Sequence, residues 1–208
     1  MRVYYVVVTT QNSTKEKLIS AVVELLDTHK AEDISVDLVV TESGISNGSL
    51  YHHFNDLQNL IDHALVSRFS RYVDTSVAML QQVSQSVSSK AELVVALRQV
   101  TRATQARDLL PIRSMRVWTL GQTTVRPSFQ KLLGIEQARL TQGLADLVIF
   151  AQEKGWYRPE LDPHVVAVFI QSYSIGKYVD DITEAQMDDA KWDLLIDSVI
   201  ETLFVSAD

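Results

Sequence analysis

Residues 44–54, GISNGSLYHHF, place several uncharged hydrogen-bonding side chains close together on one short segment. Asn47 and Ser49 are short polar residues, and Tyr51 and His52 carry polar tips on longer side chains. Such groups can bond to the edges of nucleic-acid bases and to phosphate oxygens without contributing a permanent charge. The histidines do not follow a metal-binding spacing, and the chain contains no cysteine. The segment therefore indicates recognition rather than catalysis.

The rest of the sequence does not supply the spacing that catalysis would require. It contains no G-x-S-x-G, no H-E-x-x-H and no glycine-rich phosphate loop. The paired acids Asp180–Asp181 and Asp188–Asp189 are expected to be solvated or to cap helices. We therefore expect a protein that is not an enzyme and that needs neither a cofactor nor a metal.

The elements around residues 44–54 are expected to be two short helices joined by a tight turn. Ser35 is a suitable N-cap for a helix that begins at Val36 and ends near Ser43. Gly44 follows and can adopt the positive φ of a turn without strain. Ser46 can cap a third helix that extends to about residue 53. This is the helix-turn-helix arrangement, in which the second short helix enters the DNA major groove.

Helical periodicity continues along the chain from Ser13, so an all-α fold of about nine helices is predicted. The start signals are Ser13 with Glu16, Asp56, Ser89 with Glu92, Pro127, and Asp162 with Pro163. Pro111 is expected to end or kink the helix before it. Three of the remaining predicted helices span about 14–29, 163–178 and 188–205. The others are a long helix after Asp56, a helix after Ser89, a shorter one with Ile112, Met115 and Trp118, and one that starts at Pro127 and ends at Gly155.

The composition is that of an ordinary globular protein with a net negative charge. The 208 residues are 46% hydrophobic and 22% charged, with a formal net charge of −7. No apolar run reaches the roughly 18 residues of a membrane helix, and the absence of cysteine fits a cytoplasmic protein. The apolar run Val3–Val8 is too short for an export signal. It could be a short β-like arm, a disordered tail, a DNA-touching arm that includes Arg2, or an artefact of an upstream start.

The segment Gly44, Ile45, Ser46, Asn47, Gly48, Ser49, Leu50, Tyr51, His52, His53, Phe54 matches the pattern G-[VI]-S-x-G-x-[LI]-Y-x-[HY]-F. In this pattern and in its distance from the N-terminus, the chain resembles the tetracycline-repressor (TetR) family of bacterial transcriptional regulators. The resemblance covers about residues 13–66. It implies a three-helix DNA-binding head over residues 1–58 and a ligand-binding and dimerisation bundle over residues 59–208. The resemblance implies a ligand-responsive homodimer that binds a palindromic double-stranded operator and acts as a repressor released by a small molecule.

The resemblance and the residue types together give the candidate DNA contacts. They are Ser35, Ser46, Asn47, Gly48, Ser49, Tyr51 and His52. Gly48 would let the helix backbone approach the DNA closely, because it has no side chain. His53 is expected to lie on the inward side of the helix as a structural residue, and Ile45, Leu50 and Phe54 to pack in the core.

Two departures from the family pattern bear on DNA binding. The family usually has a lysine in the first turn of helix four, where this chain has Leu57. Residues 1–68 contain five basic and nine acidic residues, a charge of −4, so the expected DNA-binding head is the more acidic part of the chain. An alternative hypothesis is therefore a TetR-like module that binds a ligand or a protein and has weakened or lost DNA binding.

The C-terminal helices are expected to provide the ligand site and the subunit interface. The predicted helix over 163–178 is apolar nearly all round and should be buried on both sides. The candidate ligand-binding residues are Met115, Trp118, Gln122, Phe129, Trp156, Tyr157, Phe169 and Tyr173, with Gln171 as a further polar handle. Arg113 and Arg116 leave an anionic ligand open. The candidate interface residues are Val165, Val168, Ile175, Trp192, Leu195, Ile196 and Val199.

Overall fold

Helices account for most of the 13–204 stretch, which is the part that this computed structural model describes. They are α1 (Thr14–Leu25), α2 (Val36–Ser43), α3 (Asn47–His53), α4 (Leu57–Ser86), α5 (Lys90–Gln105), α6 (Leu110–Gly121), α7 (Pro127–Glu153), α8 (Pro163–Gly176), α9 (Tyr178–Asp181) and α10 (Asp189–Leu203). Nine of these are longer than one turn, while α9 has four residues. Over this range there is no β-strand, only an isolated antiparallel bridge between Tyr157 and Phe204. The predicted all-α class with about nine helices is confirmed.

Side-chain caps start most helices at the positions that the sequence predicts. Ser13 and Glu16 form a reciprocal capping box at α1: the Ser13 hydroxyl accepts from the Glu16 amide, and the Glu16 carboxylate accepts from the Ser13 amide. Asp56 accepts from the Asn59 amide at 2.7 Å at the start of α4. Asp162 accepts from the Val165 amide at 2.9 Å before Pro163 opens α8. These bonds satisfy amides that have no partner within the helix.

Three local features differ from the expectation. Helix α1 ends at Leu25 rather than near residue 29. Pro111 does not break a helix but lies in the first turn of α6, where the missing proline N–H costs nothing. At α5 the Ser89 hydroxyl accepts from the Glu92 amide as predicted, and the Glu92 carboxylate accepts mainly from the amide and hydroxyl of Ser88.

The chain divides into two units between Arg68 and Phe69, within α4. This division lies further along the chain than the boundary expected after residue 58. In the N-terminal unit, an apolar core holds the three short helices and the beginning of α4. Its side chains are Leu18, Val22, Val39, Leu50, Phe54, Leu60 and Ile61, each at most 3% exposed.

The C-terminal unit is built around a core shared by α4, α5, α7, α8 and α10. The buried members of this core include Leu80, Leu93, Leu147, Val148, Val166, Ile196 and Ile200. Surface ion pairs also join α5 to α10, where Arg102 binds Asp193 at 3.2 Å and Asp197 at 2.6 Å. Because these side chains are partly solvated, we attribute the association of the two helices mainly to the apolar core.

Across the described part of the chain, no helix has the length and apolar character needed to cross a membrane. The expectations for Val3–Val8 and Arg2 concern residues outside that part.

Candidate functional sites: a helix-turn-helix surface and a cavity

The turn between α2 and α3 has the geometry that the glycine pattern predicts. Gly44 ends α2 in the left-handed conformation, with φ of 66°, and its amide donates to the Val40 carbonyl. A side chain other than hydrogen would be strained there. Ser46 then caps α3 by accepting from the Ser49 amide at 3.3 Å. The tight turn and the cap together fix where α3 begins.

Apolar anchors hold α3 by one face and leave the opposite face open. Leu50 is fully buried, and Phe54 is 2% exposed immediately after the helix. Tyr51, by contrast, is 52% exposed, although it lies next to Leu50. The exposed phenol matches the role expected for it and argues against a purely packing role.

The other predicted DNA contacts also lie at the surface. Ser35, Ser46, Asn47, Gly48 and His52 are exposed, and Ser49 is half-buried. The hydroxyls of Ser35 and Ser46 already accept from the amides of Leu38 and Ser49, so both have a structural role as caps. A Cβ atom built at Gly48 would meet no other atom within 4 Å, so the absence of a side chain there leaves open space at the surface.

His53 is exposed rather than turned inward, so the structural role expected for it is wrong. Its ring contacts that of His52 edge-on, with centroids 5.0 Å apart. His63, by contrast, is half-buried, and its ring lies 5.5 Å from that of Phe54. Burial lowers the pKa of His63, and nearby Lys15 lowers it further.

Charge around this helix-turn-helix surface is not strongly positive. Asp37 and Glu42 are exposed on α2. Arg68 is engaged by Asp27, at 3.0 Å, and also donates to the Leu26 carbonyl. At the start of α4, Leu57 is half-buried and the Asp56 carboxylate already occupies the Asn59 amide. The first turn of α4 therefore carries the Asp56 carboxylate and an apolar residue at position 57, where the family pattern has a lysine.

The C-terminal unit contains a cavity of about 300 Å³ between α4, α5, α6, α7, α8 and α10. Its wall is mostly leucine, valine, isoleucine and aromatic side chains, with a few hydroxyls such as those of Thr101 and Ser174. A cavity of this size and character is typical of a small-molecule site. Three predicted ligand residues, Tyr157, Phe169 and Tyr173, line it.

The other predicted ligand residues lie outside the cavity wall. Phe129 is fully buried in the core beneath the Arg126 guanidinium, and Gln122 accepts from Arg126 at 2.9 Å. Trp118 is 41% exposed at the surface, and Trp156 packs against Phe150. Met115 also lies elsewhere, where Thr119 donates to its sulfur.

Several cavity residues were not among the predicted site residues. Tyr72 belongs to the apolar stripe of α4, and Leu93, Leu97 and Val100 belong to that of α5. Their spacing signals a core face, and a cavity wall has the same spacing. Periodicity could therefore not separate the two.

Polar side chains in the wall have few hydrogen-bond partners, and burial shifts the pKa values of its tyrosines. Burial raises the pKa of Tyr173, although a hydrogen bond to Thr101 opposes the shift. Burial also raises the pKa of Tyr157. Gln171 donates to the Thr141 hydroxyl at 3.0 Å and to the Ala167 carbonyl, and its own carbonyl accepts from Gln137. Besides the arginines of α6, the wall therefore offers neutral hydroxyls and one largely satisfied amide.

The predicted interface residues divide into exposed and buried groups. Val165, Val168 and Leu195 are exposed by 63%, 46% and 56%. Ile175 and Trp192 are half-buried, and the Trp192 indole donates to the Gln105 side chain at 2.6 Å. Ile196, at 5% exposure, and Val199 instead line the cavity of their own chain. Within this single chain α8 therefore keeps an exposed apolar face, and the burial expected for this face stays a prediction because it would require a partner subunit.

Among the residues described, no group of three or more histidine or carboxylate side chains could hold a metal ion.

The fold matches solved structures, although the sequence is distant from them. No family model and no curated protein matches the sequence. A protein from Mesorhizobium loti described as a TetR-family transcriptional regulator superposes with a TM-score of 0.67 at 15% identity, covering 91% of this chain and 94% of its own. A transcriptional regulator from Saccharomonospora viridis, solved in complex with choline, gives a TM-score of 0.65 at 17% identity, with 95% and 100% covered. The fatty acid degradation regulator FadR from Bacillus halodurans gives 0.61 at 15% identity, with 88% and 96% covered. These neighbours are described as regulators and not as enzymes, and the chain has the fold of the TetR-family regulators.

Proposed function

We propose that the protein is a homodimeric, ligand-responsive transcriptional repressor located in the cytoplasm. Residues 1–58 would bind a palindromic double-stranded operator, and residues 59–208 would bind a small molecule and form the dimer. The observation that carries the proposal is the exposed polar face of α3, which is held by the buried Leu50 and Phe54 behind a capped glycine turn. It is not expected to be an enzyme.

The exposed face of α3 supports a DNA-binding role through neutral contacts. Asn47 and Ser49 lie at the N-terminal end of the helix, the end that reads bases in helix-turn-helix proteins. Tyr51 and His52 extend polar groups that can reach phosphate oxygens. Because residues 1–68 carry a formal charge of −4, we expect binding that depends less on salt than is usual for this class.

The cavity supports the ligand-binding half of the proposal. Its volume of about 300 Å³ lies at the lower end of the range for small-molecule sites. A protein of the same fold has been solved with choline bound, and another is a fatty acid degradation regulator. These two descriptions name different compounds, so the ligand is inferred from the wall of this cavity.

The exposed apolar side chains of α8 and α10 support dimerisation. Val165, Val168 and Leu195 would be costly to leave in water as a group, whereas a subunit interface would bury them. A dimer also suits a single helix-turn-helix, because two copies spaced by one DNA turn can bind the two halves of a palindrome. Ligand binding would then favour a state in which that spacing no longer fits the operator.

Selection of genomic fragments by the purified protein, followed by mobility-shift titration, tests the proposal. We expect enrichment of a palindromic site bound by a dimer. Recovery of no specific sequence by a folded dimer would contradict it.

The second candidate is a module of the same fold that binds a ligand or protein and has lost DNA binding. The acidic surroundings of the helix-turn-helix surface favour it, since Asp37, Glu42 and Asp56 are exposed there. The same selection distinguishes the two candidates.

A further inference from the structure

Two arginines of α6 line the cavity, and their surroundings differ sharply. Arg113 is neutralised by Asp181, with distances of 2.5 and 2.9 Å between their side-chain atoms. Arg116, one turn later, is 5% exposed but donates no hydrogen bond and forms no ion pair with any residue of the 13–204 range. The contact it does make is with the Tyr72 ring, whose centroid lies 4.5 Å from the guanidinium carbon.

An unpaired buried cation is costly, so its presence calls for an explanation. The ring of Tyr72 offsets part of the cost through a cation–π interaction. Burial lowers the pKa of Arg116, which reflects the same loss of hydration. The group still remains charged near neutral pH, because an arginine guanidinium does not lose its proton in this range.

The remaining wall contains no group that could balance this charge. None of the described residues that line the cavity is an aspartate or a glutamate. Since Arg113 is already paired, Arg116 leaves the apolar cavity with one unbalanced positive charge. A complementary ligand has one negative charge and an apolar body.

The volume limits the size of that body. A cavity of about 300 Å³ lies at the lower end of the range for small-molecule sites, so the apolar body is expected to be small. A straight-chain monocarboxylate of medium length meets both requirements.

We propose that the cavity binds a small amphipathic monocarboxylate, whose carboxylate pairs with the Arg116 guanidinium and whose apolar chain or ring fills the remaining space. The planar guanidinium can bond both carboxylate oxygens at once, which neither an ammonium nor a hydroxyl group of the wall could do. This inference rests on the proposed ligand-binding function and adds the chemical class of the ligand.

Isothermal titration calorimetry on the full-length protein without DNA tests it with three eight-carbon probes. Octanoate, 1-octanol and octyltrimethylammonium have similar apolar chains and differ in the charge of the head group. We expect octanoate to bind at least about tenfold more tightly than 1-octanol, equivalent to about 1.4 kcal/mol. The cationic probe is expected not to bind, because Arg116 would repel it.

Variants assign the preference to one side chain. Arg116→Gln should remove the preference for octanoate over 1-octanol, whereas Arg116→Lys should retain part of it. Arg139→Gln is the matched control, because Arg139 is an exposed arginine that pairs with Asp74 and Glu136. Equal binding of octanoate and 1-octanol, absence of octanoate binding at millimolar concentration, or a preference that survives in Arg116→Gln would each overturn the proposal.

The wild-type comparison does not depend on whether any variant folds. It also separates this inference from the proposed repressor function. Octanoate binding that leaves operator affinity unchanged would contradict ligand-controlled repression and support the ligand class. Specific operator binding without octanoate binding would contradict the ligand class and support the proposed repressor function.

Discussion

Asp181 accepts two hydrogen bonds from Arg113, from Nε at 2.5 Å and from Nη2 at 2.9 Å, while the two side chains are only 4% and 3% exposed. Arg113 also donates from Nη1 to the Ala106 carbonyl at 2.9 Å. The guanidinium thus ties α6 both to α9 and to the end of α5. Both charges are buried, so the pair matters most when one partner is lost.

We expect Asp181→Leu and Arg113→Met each to lower the free energy of unfolding by about 3–5 kcal/mol, because each leaves one buried charge without a partner. The double variant should cost much less than the sum, since neither charge remains. Chemical denaturation of the four proteins measures this coupling. Additive losses would show that the two side chains do not stabilise the fold as a pair.

The face of α3 gives a prediction about DNA. Tyr51→Ala should weaken operator binding, because it removes an exposed phenol suited to a phosphate contact. Gly48→Glu should nearly abolish binding by placing a carboxylate at the DNA surface. The fold should tolerate it, since a Cβ at Gly48 meets nothing within 4 Å.

Mobility-shift titration measures the affinity of both variants, and circular dichroism and mass measurement check the fold and the dimer. Leu50→Ala, which truncates a fully buried anchor of the same helix, is the contrasting control and should unfold the head. If Tyr51→Ala or Gly48→Glu lost binding only by unfolding, these residues would belong to the core.

Much of this organisation could be predicted from sequence because it depends on local interactions. The caps at Ser13, Ser46 and Asp56 bond to amides three residues away, and the Gly44 turn needs one backbone conformation. Sequence spacing reports such interactions directly. The start of α3 was therefore predictable to the residue.

Contacts between residues far apart in sequence decide which C-terminal side chains lie in the core, at the cavity or at the surface. This placement could not be predicted in the same way. Arg113 and Arg116 lie one turn apart, yet only Arg113 meets Asp181, which is 68 residues further along the chain. Likewise, Ile196 and Leu195 are adjacent apolar residues, one buried at the cavity and the other exposed. Because α8 and α10 are apolar on several faces, periodicity does not assign each face to the core, the cavity or a partner.

The exposed apolar face of α8 gives a prediction about assembly. Val168→Asp should place an unpaired carboxylate in the proposed subunit interface and yield a monomer, because burying such a charge costs several kcal/mol. Val95→Asp is the matched control, since Val95 is a similarly exposed valine on α5, outside the proposed interface. Analytical ultracentrifugation of both variants gives the mass. A Val168→Asp protein that remains a dimer places the interface elsewhere.

The start of α4 gives the final prediction, which concerns the missing cation. Leu57→Lys would restore the lysine of the family pattern beside Asp56. Each phosphate contact adds about 0.9 to the magnitude of the slope of log affinity against log salt. One contact per subunit should therefore steepen the slope by up to about 2 for a dimer and raise affinity at low salt. Sequence preference should hardly change, because phosphate contacts position the protein rather than select bases.

Leu57 is half-buried beside the buried Leu60 and Ile61, so its replacement could also act through the core. Leu57→Gln separates the two effects, because it loses the same apolar contact without adding charge. If α4 begins at the DNA surface, only Leu57→Lys steepens the slope, whatever the two variants do to the melting temperature. Equal loss of melting temperature with a flat slope would instead assign Leu57 to the core. A flat slope with unchanged melting temperature would contradict both roles and favour the candidate in which this surface no longer meets DNA.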